Sequence, residues 1–435
     1  MTTGRANWAG NVRFAAAELA APESVPELQE LVAGRRRVHA LGAGHSFTPV
    51  ADTDGTLVSL HRLAVGVRLS EGARRAWVPA GATYARVAAE LHARGWALHN
   101  LASVPHVTVA GACATGTHGS GPANPGLAAA VTALELVHAD GTLATIRRGD
   151  DRFPAVVVGL GALGIVTAVE LAVEPAYEVT QEVWLDVPLA RVQARLADVL
   201  GAGDSVSLFT GWSTPDSIDQ VWVKRRVAVG GDPRAPSGAG SGSGTGVAAE
   251  VGELAGGRRA GVAVHPVAGL DPAAATEQLG RPGPWHERLP HFRADAVPSA
   301  GAELQSEWLL PAAAGPDALD RLRALAGALA TAAFVCEIRA VAADELWLSP
   351  AYRRETVAVH VTWRPDPAAA AEAIAAVEAA LAPYDPRPHW GKLSGMEPAA
   401  LAVAYPRLDD FRAVAEALDP ERTFANRFVD RALRR

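Results

Sequence analysis

Two pairs of polar residues at period-two spacing carry a chemical signal in this chain. Glu337 and Arg339 stand two apart in Phe334-Val-Cys-Glu-Ile-Arg-Ala-Val-Ala342, and His360 and Thr362 repeat the arrangement in Val357-Ala-Val-His-Val-Thr-Trp363. Both runs are apolar and rich in β-branched residues, so they read as strands, and a strand puts residues i and i+2 on one face. Charged groups on such a face are costly to bury unless they are paired or face a ligand. A structural Glu–Arg pair is the plain reading of the first strand. A second strand with the same polar spacing argues for a lined pocket.

Two glycine-rich turns add a different chemistry. Gly42-Ala43-Gly44-His45-Ser46 follows the apolar run Val38–Leu41, so a strand empties into a glycine turn. Glycines let the backbone approach a bulky ligand, successive N–H groups cradle phosphate, and His45 is held toward whatever the turn wraps. Gly111-Ala-Cys-Ala-Thr115-Gly116-Thr117-His118-Gly119-Ser120-Gly121 offers a second cradle of N–H groups and hydroxyls, although a tight turn between strands explains it equally well. A third run, Gly159-Leu-Gly161-Ala-Leu-Gly164, matches the GxGxxG pattern of nicotinamide-cofactor proteins. That fingerprint needs a strand before it and a helix after it. Here a helix start at Asp150–Pro154 precedes it and a β-branched strand, Ile165–Val173, follows, which is the reverse order.

The elements that position these residues alternate irregularly. Ser24-Val-Pro-Glu27 is a capping box that opens a helix stopped at Gly34, and Thr83 caps another that ends at Gly95. Strands are expected at Val38–Leu41 and Thr56–Leu60, and a hairpin joins Ala133–His138 to Thr142–Ile146 at Asp140-Gly141. Pro175 marks an expected domain boundary. Beyond it strands at Val179–Leu185, Val206–Thr210, Gln220–Val227, Glu303–Leu310, Ala333–Ala340 and Thr356–Trp363 are interrupted by helices at Leu189–Leu200, Asp317–Ala330 and Pro367–Leu381. The pattern predicts an α+β fold with one antiparallel sheet, helices on one face and a site under the other. Residues 230–257, rich in Gly, Ser, Ala and Pro, are expected to be a flexible insertion.

Composition excludes several classes. A chain of 435 residues with 49% hydrophobic content suits two domains with a sizeable core. The net charge of −7 offers no nucleic-acid or anionic-membrane surface, and Arg35-Arg36-Arg37 and Lys224-Arg225-Arg226 read as solvated strand ends. Cys113 and Cys336 are too few for a disulfide framework, and the start of the chain lacks an apolar signal core, so a cytoplasmic protein is expected. Phe153–Val169, the longest uncharged stretch, is too short and too glycine-broken to span a membrane. None of the 13 histidines falls in an HExxH pattern, and no metal site is expected; His286 and His291 read as packing or loop residues.

Taken together, Asn7-Trp-Ala-Gly-Asn11, the GxGHS turn, Asn100-Leu-Ala-Ser103-Val-Pro-His106, Pro282–Arg293, Cys336-Glu-Ile-Arg339, His389-Trp-Gly-Lys392 and Asp419–Asn426 resemble the alditol (xylitol) oxidases, flavoproteins of the vanillyl-alcohol-oxidase superfamily. The likeness runs over nearly the whole chain. It implies an FAD-binding domain at 1–175, rejoined by 385–435, around a substrate domain at 176–384. It implies FAD joined covalently to His45 and contacted by Leu41, Gly42, Ala43, Gly44, Ser46, Ser103, Thr108, Gly111, Thr115, Gly116, Thr117, His118, Val166 and His389. Substrate contacts fall on Ser103, Glu337, Arg339, Thr362 and Lys392, with His360 beside them. That set suits a polyol: Glu337 accepts, Arg339 and Lys392 donate, and Ser103 and Thr362 do both. The implied reaction oxidises a terminal alcohol and passes the electrons to dioxygen, giving hydrogen peroxide. Arg339 and Lys392 would stabilise the alkoxide, and His360 or Lys392 would take the proton. A monomer is expected. Leu393-Ser-Gly-Met396 and the long Gly/Ser insertion depart from the family pattern. An aldonolactone oxidase of the same superfamily, a nicotinamide-dependent dehydrogenase and a sugar-binding protein are the rival readings.

Overall fold

The computed structural model describes residues 6–63, 66–70, 72, 74–227, 251–297 and 299–433. Most of the Gly/Ser insertion expected at 230–257 lies outside them, as residues 230–250. Its last part, Val251–Ala255, is a short helix with Val251 and Ala255 buried.

The N-terminal region builds two sheets from short elements. Ser24 accepts the Glu27 N–H and opens the helix Val25–Ala33, while Glu27 reaches back to the Glu23 N–H. Glu18–Ala20, Thr56–Val58 and Val38–Ala40 form a parallel three-stranded sheet. The second sheet is antiparallel, in the order Arg68–Ser70, Arg75–Pro79, Ile165–Ala172, Val131–Val137, Leu143–Arg147. The Asp140-Gly141 hairpin falls where its turn signal stands, with Gly141 at φ +81°. The helix Phe153–Val156 precedes the Gly159–Gly164 run and the strand Ile165–Ala172 follows it, so the order opposes the nicotinamide fingerprint.

Beyond Pro175 a nine-stranded antiparallel sheet dominates. Its main path runs Arg258–Arg259, Glu178–Pro188, Ser217–Val227, Ser205–Thr210, Ala333–Val341, Thr356–Trp363, Leu304–Pro311, Arg387–Pro388. The helices Gly315–Ala324, Ala326–Ala332 and Pro367–Leu381 cover one face, where Leu322, Leu329, Ile374 and Val377 pack on Cys336, Ile338, Val359 and Val361. Strand alternation then turns Glu337, Arg339, His360 and Thr362 to the opposite face. The single helix expected at Leu189–Leu200 is two, Leu189–Ala194 and Leu196–Leu200, because Arg195 leaves helical geometry at φ −136°. The helix expected at Asp317–Ala330 likewise breaks at Leu325.

The C-terminal segment returns to the first region. Val38 N–H donates to Thr423 O at 2.9 Å, and Asn426 donates to the carbonyls of Val50 and Asp52. Phe424 is buried with Leu28, Val32 and Val58. No helix among the described residues is long and apolar enough to cross a membrane.

Candidate active site

One cavity joins the two glycine turns to the uncovered face of the large sheet. At one end it is lined by Leu41, Gly42, Ala43, Gly44, His45, Ser46, Thr108, Gly111, Thr115, Thr117 and Val166, and at the other by Ser103, Glu307, Glu337, Arg339, His360, Thr362, His389 and Lys392. The GxGHS turn is stapled from both chain ends. Asn7 and Asn11 side chains donate to the carbonyls of Ser46 and Phe47, and Trp8 N–H donates to Gly44 O. From the C-terminal side, Phe47 N–H donates to Gly391 O at 2.7 Å and the Thr48 hydroxyl donates to Trp390 O at 2.9 Å. His45 stacks on Trp8 with ring centroids 5.3 Å apart. Burial, with a smaller contribution from His106, lowers the His45 pKa to about 4, so its imidazole is neutral at neutral pH.

Here the glycines let the two turns pack closely on one another around Thr108. A Cβ on Gly42 would stand 2.4 Å from Thr108 Oγ1, and one on Gly111 would stand 2.7 Å from the same atom. Gly44 sits at φ +70°, where a side chain is strained. Val131, Leu134, Leu136, Val156 and Val169 supply an apolar floor. The Gly159–Gly164 run lines the same cavity through Gly159, Leu160, Gly161, Leu163 and Gly164, in spite of its reversed flanks. Gly116 does not line it: at φ +70° its Cβ position faces Pro350 Cδ at 2.9 Å, so it serves the turn behind the wall.

Across the sheet the register sets three side chains in a row. Glu307 pairs with His360, and His360 pairs with Glu337 on the next strand. Glu307 is 1% exposed and is the hub. One oxygen accepts from Arg339 Nη2; the other lies 2.6 Å from Lys392 Nζ and 3.4 Å from His118 Nε2. Its backbone carbonyl accepts the His389 N–H at 3.0 Å. Burial alone would raise the Glu307 carboxyl, but Arg339, Lys392 and His118 outweigh it and hold it well below the usual carboxylate range. Glu337 follows the same balance, with Arg339 and His291 overcoming burial. Burial pulls the Lys392 ammonium down, opposed by Glu307 and reinforced by Arg339. Lys392 Nζ lies 2.9 Å from His360 Nδ1, and His360 Nε2 lies 3.1 Å from Thr362 Oγ1. Burial, then Lys392, lowers His360 to about 3. Arg339 Nη1 donates to the Ser103 hydroxyl at 3.3 Å.

The structure therefore gathers Ser103, Glu337, Arg339, His360, Thr362 and Lys392 into one cluster and adds residues that the sequence did not single out. Glu307 stands two after Gln305 in Leu304-Gln-Ser-Glu-Trp-Leu-Leu, the same polar alternation as in the two neighbouring strands. His118 belongs to Glu307 as much as to the glycine turn. His291, read as a packing or loop residue, lies with Nε2 2.8 Å from Glu337 Oε1. Lys224, read as a solvated strand end, is 1% exposed because the segment around His291 folds over its strand.

Comparisons with known proteins agree with this geometry. Residues 302–432 match the family described as D-arabinono-1,4-lactone oxidase, and residues 16–147 match the FAD binding domain family. An alditol oxidase of Streptomyces sp. (strain IKD472 / FERM P-14339) is 46% identical over 432 residues, 99% of each chain. An L-gulono-1,4-lactone dehydrogenase of Mycobacterium tuberculosis (strain ATCC 25618 / H37Rv) is 29% identical over 98% of each. Among solved structures, a solvent-stable cholesterol oxidase superposes with a TM-score of 0.76 over 98% of this chain and 97% of its own, at 15% identity, a likeness of fold.

Proposed function

The chain belongs to the alditol oxidase family of FAD-binding flavoproteins in the vanillyl-alcohol-oxidase superfamily, and on that premise we propose that it oxidises the terminal primary alcohol of alditols such as xylitol and sorbitol. The balance is RCH2OH + O2 giving RCHO + H2O2. The observation that supports this reading is the wall of paired donors and acceptors, Ser103, Glu337, Arg339, Thr362 and Lys392, in one cavity with the glycine turns. Alternating hydroxyls of a polyol need such a wall.

The glycine turns and the apolar floor would hold FAD, with His45 as its covalent anchor: a neutral imidazole, stacked on Trp8, is the nucleophilic form of that side chain. When bound, FAD supplies the hydride acceptor and the route of the electrons to dioxygen. The protein handles the proton and the charge. Arg339 would stabilise the oxygen as its proton leaves, and Lys392, which burial pulls toward its neutral amine, would receive that proton, with His360 Nδ1 holding its Nζ in place. Glu307 holds Lys392 and Arg339 in place and balances their charge. We place residues 1–175 and, apart from Arg387–Pro388 in the large sheet, 385–435 in the cofactor part, and 176–384 in the substrate part, of a cytoplasmic monomer whose two cysteines are free.

The test is anaerobic mixing with xylitol while the visible flavin absorption is followed, then admission of oxygen. Bleaching, recovery and peroxide release are expected. The family match at 302–432 favours a second reading, an aldonolactone oxidase. Bleaching by L-gulono-1,4-lactone without bleaching by xylitol would replace the first reading with it.

A further inference from the structure

Lys224 sits in the strand Ser217–Val227, where its Nζ is ringed by acceptors. The carbonyl oxygens of Arg288, Leu289 and Pro290 lie at 2.9, 2.6 and 2.9 Å, and His291 Nδ1 lies at 3.2 Å. An ammonium only donates and a carbonyl only accepts. A ring nitrogen facing an obligate donor presents its lone pair, so the imidazole hydrogen of His291 sits on Nε2. That atom lies 2.8 Å from Glu337 Oε1 and 3.3 Å from Ser207 Oγ. The ring is clamped edge-on by Phe209 and Trp222, with centroids at 5.4 and 5.5 Å. The His291 N–H also donates to Ser103 O at 3.0 Å, tying the relay to a second substrate residue.

We infer that Lys224 is a positioning residue for polyol binding: through His291 Nδ1 it fixes the Nε2–H tautomer, which holds one oxygen of Glu337 and turns the other toward the substrate. This rests on the proposed role of Glu337 as a hydroxyl acceptor. The charged groups facing His291 are Lys224 on one strand and Glu337 and Arg339 on another, with Arg288 acting through Lys224. Burial, reinforced by Lys224, lowers His291 to about 4, against the pull of Glu337. Burial also pulls Lys224 well below the lysine range, opposed by Glu337. A neutral amine would offer two N–H groups to four acceptors where the ammonium offers three, so the ring of acceptors opposes loss of the third proton.

Two measurements on the holoenzyme test this. In 15N-histidine-labelled protein, with His291 assigned from a His291→Gln spectrum, His291 should show the Nε2–H tautomer unchanged between about pH 6 and 8. In Lys224→Met the tautomer is released, and the KM for xylitol should rise about tenfold near pH 8, with a smaller change in kcat, the scale of a lost hydrogen bond to a charged group. That KM should stay high down to about pH 6, because burial, the larger cause, still holds the imidazole neutral. Lys224→Met/His291→Gln should recover a low KM at all these pH values, since an amide donates without a tautomer. An Nδ1–H tautomer in the wild type, titration of His291 in that range, or an unchanged KM in Lys224→Met overturns the inference. If Lys224→Met does not fold, His291→Leu against His291→Gln decides: only the leucine variant should raise KM, and equal KM values overturn the relay. Wild-type flavin that xylitol does not bleach, with the Nε2–H tautomer present, removes the polyol reading and not the tautomer assignment.

Discussion

Glu307→Gln keeps the side chain's shape and removes its charge, leaving Arg339 and Lys392 opposed by Glu337 alone. Arg339 retains a carboxylate, with its Nε 3.5 Å from Glu337 Oε1, so the loss falls on Lys392, whose Nζ was 2.6 Å from Glu307. Lys392 is 16% exposed at its side chain and cannot recover the loss by hydration. Breaking a buried pair from one side costs about 3–5 kcal/mol, and glutamine keeps an acceptor, so a destabilisation of about 3 kcal/mol is expected at neutral pH. Denaturant titration of the holoenzyme reads it. Glu307→Gln/Lys392→Met should recover most of the loss, because neither charge is then stranded. The sign with pH follows from the direction of the Glu307 shift. Its folded pKa is depressed, so its contribution is complete above the ordinary glutamate value of about 4.3 and fades as pH falls through the folded value. Wild type and variant should therefore converge in acid. Turnover should slow, and because Glu307 raises the Lys392 pKa, the acid limb of kcat/KM should move to lower pH. A variant within about 0.5 kcal/mol of wild type at neutral pH, or a double variant as unstable as the sum of the singles, would refute the hub.

Other outcomes are open to direct measurement. Lys392→Ala should stay yellow yet reduce its flavin at least about a hundredfold more slowly in single turnover, the scale of a lost acid–base group; an unchanged rate removes Lys392 from the mechanism. His45→Ala should release its flavin on acid precipitation, and flavin that stays in the pellet would rule out His45 as the anchor. Gly161→Ala places a Cβ 2.4 Å from His39 Cε1 at φ +73°, so a destabilisation of about 1–3 kcal/mol and a lower fraction of chains loaded with FAD are expected by thermal melting and flavin content.

Much of this molecule was legible in the chain because its signals are local. The Ser24 capping box, the Asp140-Gly141 turn and the period-two alternation at 334–341 and 357–363 each depend on neighbours within a few residues. The reversed order around Gly159–Gly164 was equally local, and it correctly set aside the nicotinamide fingerprint. The run's place in the cavity wall was not local, because it depends on how that turn packs against His39. The helix break at Arg195 has no proline or glycine between Leu189 and Leu200 to announce it, whereas the one at Leu325 stands two residues before Gly327.

The sequence by itself determined which residue types the site contains and which strand face each one takes, since alternation is a property of the covalent chain. Only the tertiary structure decided who meets whom. Glu307 became a hub because the register of three strands aligns it with His360 and Glu337, 53 and 30 residues away, and because the C-terminal return brings Lys392 to it. Lys224 looked solvated until a loop more than sixty residues away placed three carbonyls and His291 around its nitrogen. A charge's partner and its hydration are set by long-range packing, and no spacing rule within one segment encodes them.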